Sequence, residues 1–324
     1  MRLRIILVFA ANFAPLTSAS GQRGGTPLGE SRQVLDTAFV APRLGPATFP
    51  SAGGPRVVID EAHHNFHTAF GRYRPFAKLL EHDGFRVAAN AEPFSARTLS
   101  DAKVLVIANA LNVAHLQGSA WKLPARSAFD DSEIAAIASW VHDGGALLLI
   151  ADHMPFAGDA ARLARALGIQ LMNSFALLGD ADPRTGDYPI VFRRSDGTLK
   201  AHAVTNGRNQ RERIDSIESF TGSAFRLSAG RAGALMALPA ATKVRMPAVA
   251  WQFDASTQTV SGAGLLQGAA ISVGKGRVAI FGEAAMFTAQ RKGAQSVAMG
   301  MNAEEAAQNP QFILNLMHWL VRVL

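Results

Sequence analysis

The stretch Ala146-Leu-Leu-Leu-Ile-Ala-Asp152 is apolar without a break, stops at a carboxylate, and has His153 directly behind it. A half-exposed strand would alternate apolar and polar residues. A short continuous run instead suits a strand covered on both faces, as in a parallel sheet flanked by helices. Three other segments share this build: Arg56-Val-Val-Ile-Asp60, Lys103-Val-Leu-Val-Ile-Ala-Asn109 and Arg277-Val-Ala-Ile-Phe-Gly-Glu283. Phe85-Arg-Val-Ala-Ala89 is a weaker fifth. Helical patterns lie between them. Pro75 fits a first turn, with Phe76, Leu79 and Leu80 on one side before Gly84 stops the helix. Asp130-Asp-Ser-Glu133 is an acidic start for a helix carrying Ile134, Ile137 and Val141, closed by Gly144-Gly145. Residues 159–167 follow, ended by Gly168. Asn309-Pro310 opens a last helix bearing Phe312, Ile313, Leu316, Trp319 and Leu320. This alternation predicts an α/β fold with a doubly wound, mainly parallel sheet.

The region 178–275 breaks the rhythm with short β-like pieces at 189–192, 248–253 and 269–273. Gly274-Lys275-Gly276 is expected to join the last piece to the 277–281 run as a hairpin. The region reads as a β-containing elaboration of a single domain spanning 55–324. Residues 22–54 are rich in Gly, Pro, Ser and Thr without periodicity and are expected to form a flexible lead-in. No internal repeat is visible.

Composition narrows the function classes. Of 324 residues 48% are hydrophobic and only 18% charged, so the chain is apolar enough to bury a large core. It has no cysteine. That removes disulfides, Fe–S clusters, thiolate zinc sites, a cysteine nucleophile and lipoprotein acylation. Residues 1–21 read as a secretory signal: Arg2 and Arg4 form a positive start, 5–14 an apolar stretch, and 17–19 or 19–21 a small-residue cleavage site. Ten apolar residues cannot span roughly 30 Å of hydrocarbon, and no later segment is long enough either. The protein is therefore expected to be exported, periplasmic or extracellular, with no membrane span after signal removal. Its formal charge of +7 falls to +5 without the two signal arginines. The densest basic stretch (Arg193, Arg194, Lys200, Arg208, Arg211, Arg213) is interrupted by Asp196 and Glu212. It lacks interleaved aromatics, which argues against a nucleic-acid partner.

In open α/β sheets, ligands bind beyond the carboxyl ends of the strands. There the chain places Asp60-Glu61-Ala-His63-His64-Asn65-Phe-His67, then Asn109, then Asp152-His153, then Glu283. Three of the nine histidines fall within five residues. Imidazoles and carboxylates bind Zn, Mn or Fe, so Asp60, His63, His67, Asp152 and His153 are candidate metal ligands. Glu61 and Glu283 are the candidate catalytic bases. His64, Asn65, Arg72 and Asn109 are candidate substrate contacts, and Tyr73 lies beside Arg72. His63 and His67 are four apart and would align on a helix, whereas Pro75 suggests that 61–73 is a loop. In the plainer alternative, Asp60 caps a turn, the histidines are partly exposed loop residues, and Asp152 caps the next helix. There is no His-Glu-x-x-His, Gly-x-Ser-x-Gly or P-loop signature.

Four segments carry a family resemblance: Ile59-Asp-Glu-Ala-His-His-Asn65, the Gly144-Gly145 strand ending Ala151-Asp-His153, Gly274-Lys-Gly-Arg-Val-Ala-Ile-Phe-Gly-Glu283, and Asn309-Pro-Gln-Phe-Ile-Leu-Asn-Leu-Met-His-Trp319. Over 55–324 the chain resembles the DUF4350 family. That resemblance implies a class I glutamine amidotransferase-like, flavodoxin-like sheet and no settled activity. In amidotransferases of this fold the nucleophilic cysteine follows a central strand, at the place matching Asp152-His153 here. Without cysteine, glutamine hydrolysis by that route is excluded. The expectation is an exported α/β protein whose crevice serves a metal-dependent hydrolase, acting on a small polar or carbohydrate-derived substrate. Its rival is a non-catalytic ligand-binding or scaffold module of the cell envelope.

Overall fold

The four long apolar runs all form strands, and the polar residues that end them emerge at one end of a shared sheet. The computed structural model describes residues 33–117, 121–181 and 189–324. The expected signal at 1–21 therefore lies outside the described residues. The chain begins with β1 (Gln33–Leu35), β2 (Arg56–Asp60), α1 (Arg74–His82), β3 (Arg86–Asn90), α2 (Ala96–Leu99), β4 (Val104–Ala108), α3 (Ala114–Gln117) and α4 (Asp131–His142). It continues through β5 (Ala146–Ile150), α5 (Phe156–Ala166), β6 (Ile169–Met172), β7 (Phe175–Leu178), β8 (Ile190–Arg193), α6 (Ala203–Asn206), β9 (Ser216–Ser219) and β10 (Ala224–Leu227). The last third holds β11 (Ala234–Ala237), β12 (Thr242–Met246), β13 (Gln258–Ser261), β14 (Leu266–Val273), β15 (Gly276–Phe281), β16 (Ala289–Lys292), β17 (Val297–Gly300) and α7 (Asn309–Leu320). A 3-10 turn at Ala285–Phe287 links β15 to β16.

The expected doubly wound, mainly parallel, flavodoxin-like sheet is corrected by the strand pairings. The largest sheet has nine strands in the order β3-β2-β4-β5-β15-β14-β10-β6, with β11 also against β14. Its first half is parallel: β2 pairs with β3 and β4, β5 with β4 and β15. Its second half is antiparallel throughout. The three smaller sheets, β1-β16-β17, β13-β12-β7 and β8-β9, are antiparallel as well. Antiparallel pairs therefore outnumber parallel ones.

The cause is a tight hairpin. Val273 pairs with Gly276, leaving Gly274 and Lys275 as a two-residue loop, with Gly274 at φ +57°, the left-handed region such turns use. A Cβ on Gly274 would also meet the His142 carbonyl oxygen at 2.6 Å. Once the chain reverses there, β14 runs against β15, and β10 and β11 run against β14. Within 178–275, β10, β11 and β14 extend the main sheet, while β8, β9, β12 and β13 build smaller sheets of their own. The piece expected at 248–253 is no strand; Val249 makes one isolated bridge to Lys122.

Helices lie on both faces of the parallel half, and α5 also packs against β6 of the antiparallel half. Val57 and Ile59 of β2 point into a core shared with Leu79 and Leu80 of α1 and Phe312 and Leu316 of α7. Val58 points the other way, toward Ile137 and Val141 of α4 and Leu163 of α5. Each fully buried aliphatic chain of this kind contributes roughly 1.5–3 kcal/mol. The described part of the lead-in, 33–54, makes contacts with the rest of the fold. β1 pairs with β16, Asp36 meets the Arg291 guanidinium at 2.8 Å, and Phe49 packs edge-on to Phe85. No helix among the described residues is long and apolar enough to cross a membrane.

Candidate functional site

Parallel register sets the ends of β2, β4, β5 and β15 side by side. Ile59 lies opposite Val106, Ala108 opposite Ile150, and Ile150 opposite Phe281. Asp60, Asn109, Asp152 and Glu283 therefore line one edge, as the strand-end rule requires. The loop after β2 has no helix over 61–73, so His63 and His67 do not share a helical face. They enter two separate clusters.

In the first cluster, Asp60 is fully buried and both its carboxylate oxygens lie 2.9 Å from His63 Nδ1. His63 Nε2 lies 2.8 Å from Glu133 Oε1. Both ring nitrogens face carboxylate oxygens, so both donate, as an imidazolium does. Burial alone would lower the His63 pKa; the hydrogen bonds and charges of Asp60 and Glu133 outweigh it and hold the group above its ordinary value. Phe94 lies stacked 4.8 Å from the imidazole and Phe129 4.7 Å away. Glu133 also accepts from the Phe94 N–H at 2.9 Å and the Asp130 N–H at 3.1 Å, the latter closing the α4 capping box. Asn65 Nδ2 donates to Asp60 at 3.0 Å. Every strong polar atom here is engaged. Asp60 and His63 offer no lone pair to an ion, and the expected metal set does not converge: among the described residues no group of three or more His, Asp or Glu is placed to hold a metal. His64 is exposed with φ +49°. Glu61 accepts the Ala69 N–H at 2.8 Å, so this expected base staples the loop.

The second cluster differs in kind. Asp152 N–H donates to Asn109 Oδ1 at 3.0 Å, which leaves the Asn109 amide nitrogen facing His67 Nδ1 at 3.2 Å. His67 Nδ1 is thus an acceptor, and the proton of the neutral ring sits on Nε2. Burial, then the charges of Arg72 and His153, push the His67 pKa well down, so the ring stays neutral. Its Nε2 has no hydrogen-bond partner among the described residues. His153 Nδ1 lies 2.7 Å from the Met154 carbonyl oxygen, so that nitrogen donates, and Nε2 has no hydrogen-bond partner among the described residues. The His153 ring stacks on Phe175 at 4.9 Å, with Trp251 at 4.6 Å and Trp121 at 6.2 Å.

Glu283 lies near enough to Asp152 to feel its charge. It is about 1% exposed and accepts the Ala285 and Met286 N–H groups at 2.6 and 2.8 Å. Burial, and then the Asp152 carboxylate, push its pKa well up despite those donors. Tyr73, fully buried, donates to the Ala284 carbonyl at 3.2 Å; burial, Glu283 and Asp152 push its pKa up. Arg72 lies with its guanidinium 4.0 Å from the Phe66 ring centre and reaches the Gln33 carbonyl at 3.2 Å.

The structure therefore brings together His67, Asn109, Asp152, His153, Glu283 and Arg72, and draws Asp60, His63 and Asn65 into the neighbouring cluster with Glu133 on the same edge. Sequence reasoning missed Glu133, Trp121, Trp251 and Phe175. Glu133 carried a signal, as the capping-box partner of Asp130 in α4, but nothing local showed that its carboxylate reaches a histidine 70 positions earlier.

No family model matches the chain, and no curated protein matches it. Among solved structures, the mmIFT52 N-terminal domain is similar with a TM-score of 0.51 at 11% identity, over 82% of this chain and 97% of that one. A ThuA-like protein from Bacteroides uniformis ATCC 8492 matches with a TM-score of 0.41 at 12% identity, over 85% of this chain and 95% of that one. Another, from Parabacteroides merdae ATCC 43184, gives 0.42 at 10% identity, over 83% and 90%. The first likeness shows a common overall fold and says nothing of chemistry.

Proposed function

We propose that the protein is exported, belongs with the DUF4350 family that its motifs resemble, and binds a small carbohydrate-derived ester in this crevice, with His153 as the acid–base group of its hydrolysis. One observation carries the reading: His153 Nδ1 is fixed on the Met154 carbonyl, which turns Nε2 away from it, and the ring is held against Phe175 and Trp251. A pocket that pairs aromatic faces with a few placed polar groups is the usual form of a small-ligand site. Trp121 and Trp251 offer faces to the C–H side of a sugar ring, and His67 Nε2–H and Asp152 offer a donor and an acceptor to hydroxyls. In the reaction, water attacks the ester carbon and His153 Nε2 takes its proton. The C–O bond to the leaving alcohol then breaks, and that oxygen takes the proton back from the imidazolium. The donor set does not fit a metal centre, so no step runs through one.

A second reading, binding without turnover, rests on Glu61 and Glu283, whose carboxylates are both engaged by backbone N–H groups. Titration of tryptophan fluorescence with acetylated monosaccharides, beside an assay of acetate release, decides between them. Saturable binding with turnover lost in His153→Ala supports hydrolysis. Binding without acetate release selects the second reading. No binding at all removes both. Fractionation of cells and sequencing of the mature N-terminus test export; a retained Met1 in the cytoplasm overturns it.

A further inference from the structure

We infer that Arg72 sets the substrate class of the crevice by binding a carboxylate on the sugar, so that the ligand is the ester of a uronic acid. The inference rests on the reading of the crevice as a carbohydrate-ester site. Arg72 is half-buried and leaves the same loop as His67. Its Nη2 donates to the Gln33 carbonyl at 3.2 Å, and the guanidinium lies 4.0 Å from the centre of the Phe66 ring. Neither contact supplies a negative charge. Arg208 and Arg291 each meet a carboxylate, at 2.7 and 2.8 Å; Arg72 meets none among the described residues. Its Nε and Nη1 have no hydrogen-bond partner among the described residues, and neither atom is sealed from solvent.

An arginine keeps its charge when buried. Taking such a charge out of water without a counter-ion is costly, and burial pushes the Arg72 pKa down with no carboxylate to offset it. The contact with the Phe66 face spends none of the N–H donors. The free part of the fork suits a planar acceptor with two oxygens, which a guanidinium binds through parallel hydrogen bonds. Its place suits a group on the ligand of His153. The charges of Arg72 and His153 both reach His67. Phe66, under Arg72, lies 5.7 Å from Phe156, which lies 5.6 Å from His153. An ester held at His153 thus leaves a second group of the same ligand near Arg72. Charge balance favours carboxylate over phosphate. Arg72 matches one negative charge, and the Asp152 carboxylate in the same crevice opposes a second.

The test is a tryptophan-fluorescence titration of the full chain with the monoacetylated methyl glycosides of glucose, glucuronic acid, glucuronamide and a glucose phosphate. The first three differ at a single carbon, as alcohol, carboxylate and amide. The glucuronate ester should bind about tenfold or more tighter than the glucose and amide esters. In Arg72→Gln that preference should vanish. Arg72→Lys keeps the charge and loses the fork, so it should retain only part of it. Far-UV spectra and melting temperatures follow the folding of both variants, and the comparison of ligands on the unaltered protein stands without them. Equal binding of the charged and neutral esters overturns the inference and leaves the crevice reading standing. A preference that persists in Arg72→Gln overturns Arg72 as its source. Tighter binding of the phosphate than of the glucuronate overturns it in favour of a dianion site. No binding of any of these ligands overturns both the inference and the reading on which it rests.

Discussion

His63 and His67 leave the same loop four residues apart and arrive in opposite chemical circumstances. His63 has a carboxylate on each ring nitrogen and phenyl rings against its faces. His67 has one nitrogen on an amide and the other without a partner among the described residues. The first arrangement raises the pKa of its histidine and the second lowers it. The difference separates two uses of the same residue type. A polar group whose every atom is satisfied holds the fold together, since removing a partner strands a buried charge. A polar group with an atom left over at a crevice is available to something that is not protein. His153 belongs with His67 by this criterion, and Asp60 with His63.

The sharpest way to break this division is to truncate one histidine from each region. His63→Ala leaves Asp60 and Glu133 facing each other across a cavity. It should cost about 3–5 kcal/mol, the usual loss when a buried ion pair is broken from one side, read from urea unfolding midpoints. Ligand titration at a temperature where the variant remains folded should be unchanged. His153→Ala removes a half-exposed ring and should cost roughly 1 kcal/mol, while ligand binding or turnover falls about tenfold or more. A stable His63→Ala protein that fails to bind ligand would reverse the assignment of the two regions.

Asn109 allows a finer test without truncation. Asn109→Asp keeps the acceptor for the Asp152 N–H but turns the other amide atom from donor to acceptor. His67 must then carry its proton on Nδ1, and the new carboxylate raises its pKa. Nitrogen NMR of the imidazole should report the exchanged tautomer, with ligand affinity down about tenfold, near 1.4 kcal/mol. An unchanged tautomer would show that the Asn109 amide does not set the state of His67.

Acid and base should pull the two regions apart. His63 has a folded pKa above its ordinary 6.5. It therefore contributes stability that is fully present below about pH 6.5 and is lost as pH rises through the folded value. His67 has a folded pKa well below 6.5. The unfolded chain takes up a proton first, so this residue removes stability as pH falls below about 6.5. In urea titrations from acid to mildly alkaline pH, the deficit of His63→Ala should shrink as pH rises. The deficit of His67→Gln should shrink as pH falls. Deficits that move in the same direction would mean that the two imidazoles are not in opposite environments.

The sequence shows the first-order design and hides the connections. Continuous apolar runs ending in Asp60, Asn109, Asp152 and Glu283 disclose buried strands and the edge where polar groups gather, because burial and polarity are written residue by residue. Sheet direction is less legible. The Gly274-Lys275 turn is readable as a hairpin, yet its consequence, that three more strands follow antiparallel, depends on where β10 and β6 dock. The lead-in shows the same limit: its Gly- and Pro-rich composition suggests freedom, while three residues at Gln33–Leu35 find the edge of β16. Within the site, residue types were legible and their partners were not. Nothing near His63 shows that Glu133 will reach it, and nothing near His153 places Phe175 and Trp251 against its ring. Those pairings are set by long-range packing, the part of folding that leaves the least trace in local pattern.

Glu61 gives the smallest expected effect and the cleanest control on the comparison. It neighbours Asp60 in sequence and has the chemistry of a general base, but its Oε1 accepts the Ala69 N–H at 2.8 Å, across the loop that separates His63 from Tyr73. A single hydrogen bond to a carboxylate at a partly exposed site contributes about 1 kcal/mol. Glu61→Ala should lose about that much, and Glu61→Gln close to nothing, since the amide oxygen accepts the same bond. Acetate release and ligand affinity should be unaltered in both. A glutamine variant that is as stable as the parent but inactive would make the carboxylate a base after all. It would also show that a carboxylate already hydrogen-bonded to the backbone can still act on a ligand, which is the point on which the division between the two regions rests.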